Sequence, residues 1–254
     1  MNAAYRIVIP ARMASERLPG KPLLKIGGRT LIEHVYRRAC ESSALSVVVA
    51  TDSDAVRAAV AAFGGAAELT STEHQSGTDR ISECVEKLGW PDSEVVVNLQ
   101  GDEPLMPAAC LDQAAGILQK NGNADVASLY WPIGTAQEVE DSNVVKVVLS
   151  ETGEALYFSR SVIPYPRNLS LPDAMQAGAA WNRHIGLYAY RVRALKAFTV
   201  LPVSTLEGIE KLEQLRFLEA GKRITMEQAC SFIPAGVDTP EDLERVRKLI
   251  PDTD

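Results

Sequence analysis

The chain has 254 residues, 46% of them hydrophobic, and a formal net charge of −7 from 26 basic and 33 acidic side chains. That length and apolar content suit one sizeable α/β domain with a packed core. The acidic balance argues against a general nucleic-acid or membrane-surface binder. No apolar run approaches the ~20 residues of a membrane span, and the N-terminus lacks the regions of a signal peptide, so we expect a cytoplasmic protein.

Cysteines and histidines are spread thinly along the chain. The four cysteines include no Cys-x-x-Cys pair, and the three histidines show no metal-ligand spacing. We therefore expect free thiols and no zinc site.

A basic loop follows the first apolar run, residues 5–11, which predicts a buried strand. Arg12, Arg17 and Lys21 leave the end of that strand together. Ligands of open α/β sheets bind beyond the carboxyl ends of the strands, so these cations are expected to face a polyanion such as phosphate. The loop is not a Walker phosphate loop, because Ser15 and Pro22 stand where that motif needs Gly and Ser or Thr.

The segments that follow alternate between strand and helix patterns. We predict strands over residues 46–51, 66–69, 94–99, 125–131, 144–149, 156–160, 183–191 and 224–229, and helices over 31–41, 53–63, 78–88, 108–119, 135–140, 210–219 and from 240. This alternation predicts a doubly wound, mostly parallel mixed sheet of Rossmann type. Residues 168–182 show little periodicity, so we expect a single domain, 1–254, with an antiparallel excursion at about 155–190.

Residues 70–80 form a polar loop that opens a helix. Ser76, Gly77 and Thr78 are small enough for a ligand to approach the backbone, and a helix N-terminus offers N–H groups to a base or a phosphate. Ser76 or Thr78 would equally serve as a simple helix cap. This stretch alone does not decide between the two.

The most strand-like segment, 94–99, delivers Gln100 and Asp102 to the same sheet edge as Arg12. Asp102 is the best candidate for a hard metal ligand, because Mg²⁺ at nucleotide sites is held by one or two carboxylates plus phosphates. A carboxylate there could also cap a helix. Asp238 lies just outside the predicted cap Thr239, and it is free for another role.

Seven motifs, in order along the chain, resemble the 3-deoxy-manno-octulosonate (KDO) cytidylyltransferase family. They are RMASERLPGKPL (12–23), QSGTDR (75–80), NLQGDEP (98–104), YFSR (157–160), HIGLY (184–188), LEQLR (212–216) and GVDTPEDL (236–243). The resemblance implies transfer of CMP from CTP to KDO with release of pyrophosphate, Mg²⁺ as cofactor, a homodimer formed through the excursion, and a product used in lipopolysaccharide assembly.

The resemblance also implies roles for individual residues. The nucleotide site comprises Ala11, Arg12, Ser15, Arg17, Lys21, Ser76, Gly77, Thr78, Arg80 and Gln100. The sugar-acid site comprises Gln100, Arg160, His184, Tyr188, Glu213 and Gln214. Asp102 and Asp238 are the expected Mg²⁺ ligands, and with Arg12 and Lys21 they form the expected catalytic set. Without the resemblance, His184 and Tyr188 would be interpreted as core packing.

The chain departs from the family pattern at Glu16, which stands where a small polar residue is more common. An acid beside the triphosphate would repel it unless Glu16 points outward or pairs with Arg17.

Alternatives remain in the choice of substrate and in the class of protein. The acceptor could be another sugar acid, such as 8-amino-KDO or a sialic acid, or an alcohol of isoprenoid synthesis. The chain could also be a non-catalytic nucleotide sensor. A metal-dependent glycosyltransferase is disfavoured, because Gln100 and Pro104 flank Asp102 where an Asp-x-Asp motif needs a second Asp.

Overall fold

The computed structural model describes residues 4–14, 17–74, 76–122 and 124–250. The strands are β1 Arg6–Ala11, β2 Lys25–Ile26, β3 Arg29–Thr30, β4 Ser46–Thr51, β5 Ala66–Leu69, β6 Val95–Asn98, β7 Val126–Pro132, β8 Lys146–Leu149, β9 Ala155–Ser159, β10 Asn182–Arg191 and β11 Ile224–Gln228. The helices are α1 Leu31–Cys40, α2 Asp54–Ala62, α3 Gly77–Lys87, α4 Ala108–Lys120, α5 Ala136–Glu140, α6 Leu171–Gln176, α7 Val192–Thr199, α8 Thr205–Glu210, α9 Gln214–Glu219 and α10 Pro240–Leu249. A 3-10 turn, Lys21–Leu23, follows the basic loop. Over these described ranges, no helix combines the length and the apolar character needed to cross a membrane.

The described strands form a nine-stranded mixed sheet with the order β11-β7-β10-β6-β1-β4-β5 along its main path. Within that path β10 alone runs antiparallel to its neighbours, β6 and β7, while the other pairs are parallel. Strands β8 and β9 extend from β10 as an antiparallel pair. The prediction of a doubly wound, mostly parallel sheet with an antiparallel excursion is therefore confirmed.

The central strand β1 is buried on both faces. Ile7 and Ile9 belong to the core cluster that includes helices α1 and α4, whereas Val8 belongs to the cluster formed with α3 and α7. A strand covered by helices on both sides needs apolar residues at every position. This explains the continuous apolar run at the start of the chain, and it fixes the strand end from which the basic loop emerges.

Side-chain caps begin several of the helices, and the cap predicted at Thr239 is one of them. Thr30 and Ser53 each accept a hydrogen bond from the backbone N–H three residues later. Thr239 and Asp242 form a reciprocal capping box at the start of α10. The N-terminal boundaries of α1, α2 and α10 therefore follow from the local sequence.

The predicted helix over 210–219 is wrong in its first part. Helix α8 ends at Glu210, and Lys211 adopts the left-handed conformation with φ 55° and ψ 47°. Helix α9 begins only at Gln214. Residues 168–182, predicted to be irregular, contain the short helix α6, which Ser170 caps.

We predict that Gly101→Ala destabilises the fold by about 1–3 kcal/mol, because a Cβ there would lie 2.8 Å from the backbone oxygen of Pro10. Gly116→Ala in α4 is the matched control: its Cβ would meet nothing within 4 Å. That variant should be neutral or stabilising by roughly 0.5–1 kcal/mol. Urea denaturation followed by circular dichroism measures both. Equal stability of the two variants would contradict the close approach of the Gly101 turn to β1.

Candidate active site

A cavity of about 930 Å³ opens where the strand ends meet the loops that follow them. Of the residues implicated by the sequence, it is lined by Ala11, Arg12, Arg17, Lys21, Ser76, Gly77, Thr78, Arg80, Gln100, Asp102, His184, Tyr188, Glu213, Gln214 and Asp238. Ser15 and Glu16 lie outside the described residues. The fold thus gathers segments more than 200 residues apart around one space, and the roles assigned to the individual residues stay predictions.

The Lys21 ammonium lies between the two carboxylates predicted to hold metal. Its Nζ atom is 2.6 Å from Asp102 Oδ2 and 3.0 Å from Asp238 Oδ1, and it also donates to the backbone oxygen of Val237 at 3.0 Å. Arg17 approaches Asp238 Oδ1 at 3.3 Å. Burial alone would lower the pKa of Lys21, but attraction to Asp102 and Asp238 outweighs it and raises that pKa.

The same pair of carboxylates fits a divalent cation. Among the described residues no group of three or more His, Cys, Asp or Glu could hold a metal ion by itself. Asp102 and Asp238 nevertheless already share one cation, so their oxygens are arranged for positive charge. Mg²⁺ commonly takes one or two carboxylates and completes its shell with substrate phosphates and water. These residues therefore suit an ion bound together with a nucleotide.

Glu103, which the sequence analysis did not single out, lies directly behind this pair. Its Oε2 atom is buried and has no hydrogen-bond partner in the structure. Burial and then the charges of Asp102 and Asp238 raise the pKa of Glu103 to about 8. Gly236 lies against it, since a Cβ at that position would fall 3.0 Å from Glu103 Oε1. In the sequence, only the position of Glu103 next to Asp102 indicated that it could belong to the site.

Elsewhere in the cavity lining, Ser76 caps α3. Its Oγ accepts from the N–H of Asp79 at 3.1 Å and donates to the carboxylate of the same residue at 2.9 Å. The capping interpretation of Ser76 is therefore correct, and the cap also turns the N-terminus of α3 toward the cavity. Gly77 and Thr78 line the space at this point.

Arg80 is held in place by an acidic partner that the sequence did not reveal. Its guanidinium donates to Asp52 Oδ2 at 2.7 Å and to Thr70 Oγ1 at 2.6 Å, and the side chain is only 3% exposed. Asp52 is free for this pairing because the neighbouring Ser53 caps α2. The charge of Arg80 is thus balanced within the wall.

A row of aromatic rings with centroids 5.0 to 5.8 Å apart runs in the order Phe158, His184, Tyr188, Tyr190 and Phe217. All of these except Phe158 line the cavity and form an aromatic wall. Two polar atoms of this wall, Tyr188 Oη and Gln214 Nε2, are buried without a hydrogen-bond partner. An unpaired buried polar group costs about 1–3 kcal/mol. Such groups facing a cavity are suited to a polar ligand.

Thr78 connects the start of α3 to the segment that precedes α9. Its Oγ1 atom donates to Glu213 Oε2 at 2.9 Å. Enclosure by the cavity walls raises the pKa of Glu213, although the hydrogen bond from Thr78 acts in the opposite direction. Burial lowers the pKa of His184 to about 3, so its ring is neutral at physiological pH.

The structure does not bring Arg160 into the cavity lining. Its Nε donates to the backbone oxygen of Glu210 at 2.8 Å, and its Nη1 donates to the backbone oxygen of Ser142 at 3.0 Å. The guanidinium therefore holds the end of α8 in this structure. The prediction that Arg160 clamps a sugar carboxylate lacks support from this geometry, because two of its three guanidinium nitrogens donate to backbone carbonyls and the side chain is not part of the cavity lining.

A mainly parallel sheet with one polar cavity at its strand ends is typical of nucleotide-binding α/β enzymes. The model of a family described as cytidylyltransferase matches residues 6–224. The 3-deoxy-manno-octulosonate cytidylyltransferase of Cellvibrio japonicus is 46% identical over 254 residues, covering 97% of this chain and 98% of that protein. That of Haemophilus influenzae is 47% identical over 251 residues, with coverages of 97% and 98%.

Solved structures give the same result. One described as CMP:2-keto-3-deoxy-manno-octonic acid synthetase complexed with CTP has a TM-score of 0.89 and 44% identity, covering 97% of this chain and 98% of that one. A cytidylyltransferase from Leptospira borgpetersenii, 16% identical with a TM-score of 0.60, shares the fold. The chain belongs to the 3-deoxy-manno-octulosonate cytidylyltransferase family, and it is a nucleotidyltransferase.

We predict that the ring of His184 does not titrate between pH 5 and 8, because burial holds its pKa near 3. An unfolded histidine binds a proton below about pH 6.5, so this site favours unfolding as the pH falls from 6.5 toward 3. Proton NMR of the histidine rings, assigned with His184→Gln, measures this directly. A titration midpoint between pH 5.5 and 7.5 would contradict the enclosure of the ring.

Proposed function

We propose that this chain transfers CMP from CTP to the anomeric hydroxyl of KDO, releasing pyrophosphate. The observation that carries the proposal is the arrangement of the cavity. A cluster of Lys21, Asp102 and Asp238 lies at one end, and buried unpaired polar groups of Tyr188 and Gln214 lie on the opposite wall. The names of the relatives, at 46% and 47% identity, support the same reaction.

The basic loop carries the triphosphate in this proposal. Attack at the α-phosphorus places negative charge on the phosphoryl oxygens and on the leaving pyrophosphate, so catalysis needs positioning and positive charge. Arg12, Arg17 and Lys21 neutralise that charge. Asp102 and Asp238 would hold Mg²⁺, which would supply further positive charge to the phosphates. Lys21 would exchange its carboxylate partners for phosphate oxygens when the nucleotide binds.

The aromatic wall orients the sugar acid. The hydroxyl of Tyr188 and the amide of Gln214 donate to sugar oxygens, which provides the partners they otherwise lack. Glu213 accepts from sugar hydroxyls, while Thr78 fixes its position. His184 stays neutral, and because its Nε2 atom is hydrogen-bonded to Ser128 Oγ at 3.2 Å, only Nδ1 is left for the sugar. None of these residues has to act as a strong base.

We also propose a cytoplasmic homodimer that supplies an activated sugar for lipopolysaccharide assembly. CTP is a cytoplasmic substrate, which supports the location. The excursion exposes three large apolar side chains: Leu156 is 60% exposed, Tyr165 78% and Leu169 51%. Exposed apolar groups concentrated on one segment are typical of an association surface.

The reaction is tested by measuring pyrophosphate release from CTP and Mg²⁺ with KDO, with 8-amino-KDO, with a sialic acid, and without sugar. Release that depends on KDO supports the proposal. Pyrophosphate release with another sugar acid but not with KDO would show that KDO is not the acceptor. Binding of CTP without pyrophosphate release under any condition would favour a nucleotide sensor.

Asp102→Asn should keep the fold and lower turnover by roughly 10² or more, on the scale of losing one charge-stabilising group. The matched control is Asp92→Asn. Asp92 is an exposed acid outside the cavity lining, and its Oδ1 atom lies 2.6 Å from Lys196 Nζ. Steady-state kinetics and circular dichroism of both variants provide the comparison. Wild-type turnover in Asp102→Asn would remove the metal-ligand assignment.

Light scattering should give twice the 27.5 kDa chain mass. Combining Tyr165→Ser with Leu169→Ser should shift that mass toward the monomer, because it removes apolar surface from the excursion. Leu45→Ser is the control. The Leu45 side chain is 60% exposed, between the values for Tyr165 and Leu169, but it lies outside the excursion, so this variant should stay dimeric. A monomeric wild type would contradict the proposed assembly.

A further inference from the structure

Lys211 occupies an unusual position in the cavity wall. It joins α8 to α9 and lines the cavity beside Leu212, Glu213 and Gln214. Among the described residues it is the one non-glycine residue with positive φ. Its backbone N–H donates to the Glu207 oxygen at 2.8 Å, which closes α8. The left-handed turn sends the chain abruptly from α8 onto the wall that carries Glu213.

The other left-handed helix ends in the described chain use glycine. Gly64, Gly89, Gly178 and Gly221 follow α2, α3, α6 and α9, with φ between 66° and 93°. A side chain in this conformation costs roughly 1–2 kcal/mol, and lysine has no short polar group to offset it locally. A strained residue at a functional cavity indicates that its side chain has a use there.

The charges around the cavity leave Lys211 available. Lys21 is paired with Asp102 and Asp238, and Arg80 is paired with Asp52. No ion pair or side-chain hydrogen bond engages the Lys211 ammonium in the described structure. The neighbouring Glu210 carboxylate is occupied, because it accepts from the Ser159 hydroxyl at 2.6 Å and from the Arg160 backbone N–H at 2.9 Å.

The sugar end of the cavity also needs a cation. A sugar acid carries a carboxylate, but Arg160, the expected partner, lies outside the cavity lining and donates through Nε and Nη1 to the backbone oxygens of Glu210 and Ser142. One of those bonds anchors the residue that directly precedes Lys211. Arg160 thus fixes the turn, while Lys211 presents the charge next to Glu213 and Gln214.

We propose that Lys211 is a specificity-determining residue that binds the carboxylate of the sugar-acid substrate, an inference that rests on the proposed function. Arg12, Arg17 and Lys21 serve the triphosphate at the opposite end. Lys211 therefore separates recognition of the acceptor from neutralisation of the donor. A neutral sugar of the same shape lacks the group that Lys211 binds.

The test compares Lys211→Asn with Lys211→Arg and with the wild type. Asparagine tolerates the left-handed conformation, so the melting temperature should not fall. The KM for KDO should rise about tenfold or more, as expected for losing a charge-assisted hydrogen bond. The kcat and the KM for CTP should change less than about twofold. Lys211→Arg should recover most of the affinity for KDO.

A ligand that lacks the negative charge tests whether Lys211 binds the carboxylate itself. With the C1 carboxamide of KDO, calorimetry should give equal affinity for wild type and Lys211→Asn, a result that a merely structural role would not produce. Lys222→Asn, in the exposed segment after α9, is the control and should match the wild type with both ligands.

The outcomes separate this inference from the proposed function. Wild-type activity on KDO together with an unchanged KM in Lys211→Asn would overturn the role of Lys211 and leave the reaction intact. A wild type that neither binds nor turns over KDO or any other sugar acid would overturn both.

Discussion

The ammonium of Lys21 between Asp102 and Asp238 is the interaction on which the site depends. It connects the turn after β1, the turn after β6 and the segment before α10, through distances of 2.6 and 3.0 Å. Each of these segments follows a buried strand or precedes a capped helix. The fold therefore brings the three segments close together, and the ion pairs hold their side chains in contact. Without the lysine, two carboxylates would face each other in a partly enclosed space, and their repulsion would separate the segments.

In the proposed reaction, the same arrangement would also respond to substrate. The paired charges keep the cavity walls in place before binding, and they would exchange partners when the triphosphate binds together with Mg²⁺. Such an exchange replaces one set of ion pairs with another, so little reorganisation of the backbone is needed. Arg80 with Asp52 and Thr78 with Glu213 follow the same principle at the other end of the cavity.

Sequence reasoning predicted those parts of the fold that local chemistry determines. The buried strand before Arg12, the cap Thr239, and the delivery of Asp102 to the same edge as Arg12 all follow from patterns of a few residues. The prediction of one helix over 210–219 was wrong because a lysine, Lys211, adopts the left-handed turn between α8 and α9, where a glycine would have indicated a helix end. Sequence reasoning also missed the partnership of Arg80 with Asp52, because a contact across 28 residues has no local signature. Arg160 illustrates a third limit, since an arginine suited to a carboxylate is equally suited to the carbonyls at a helix end.

The most direct test of the account follows the phosphates of CTP separately. The chain is incubated with Mg²⁺ and KDO, and with CTP labelled with ³²P at either the α or the γ position. We expect the α label to enter a product containing the sugar acid and the γ label to enter pyrophosphate, both only when the sugar acid is present. Appearance of the α label in free CMP, at the same rate with and without the sugar acid, would contradict it.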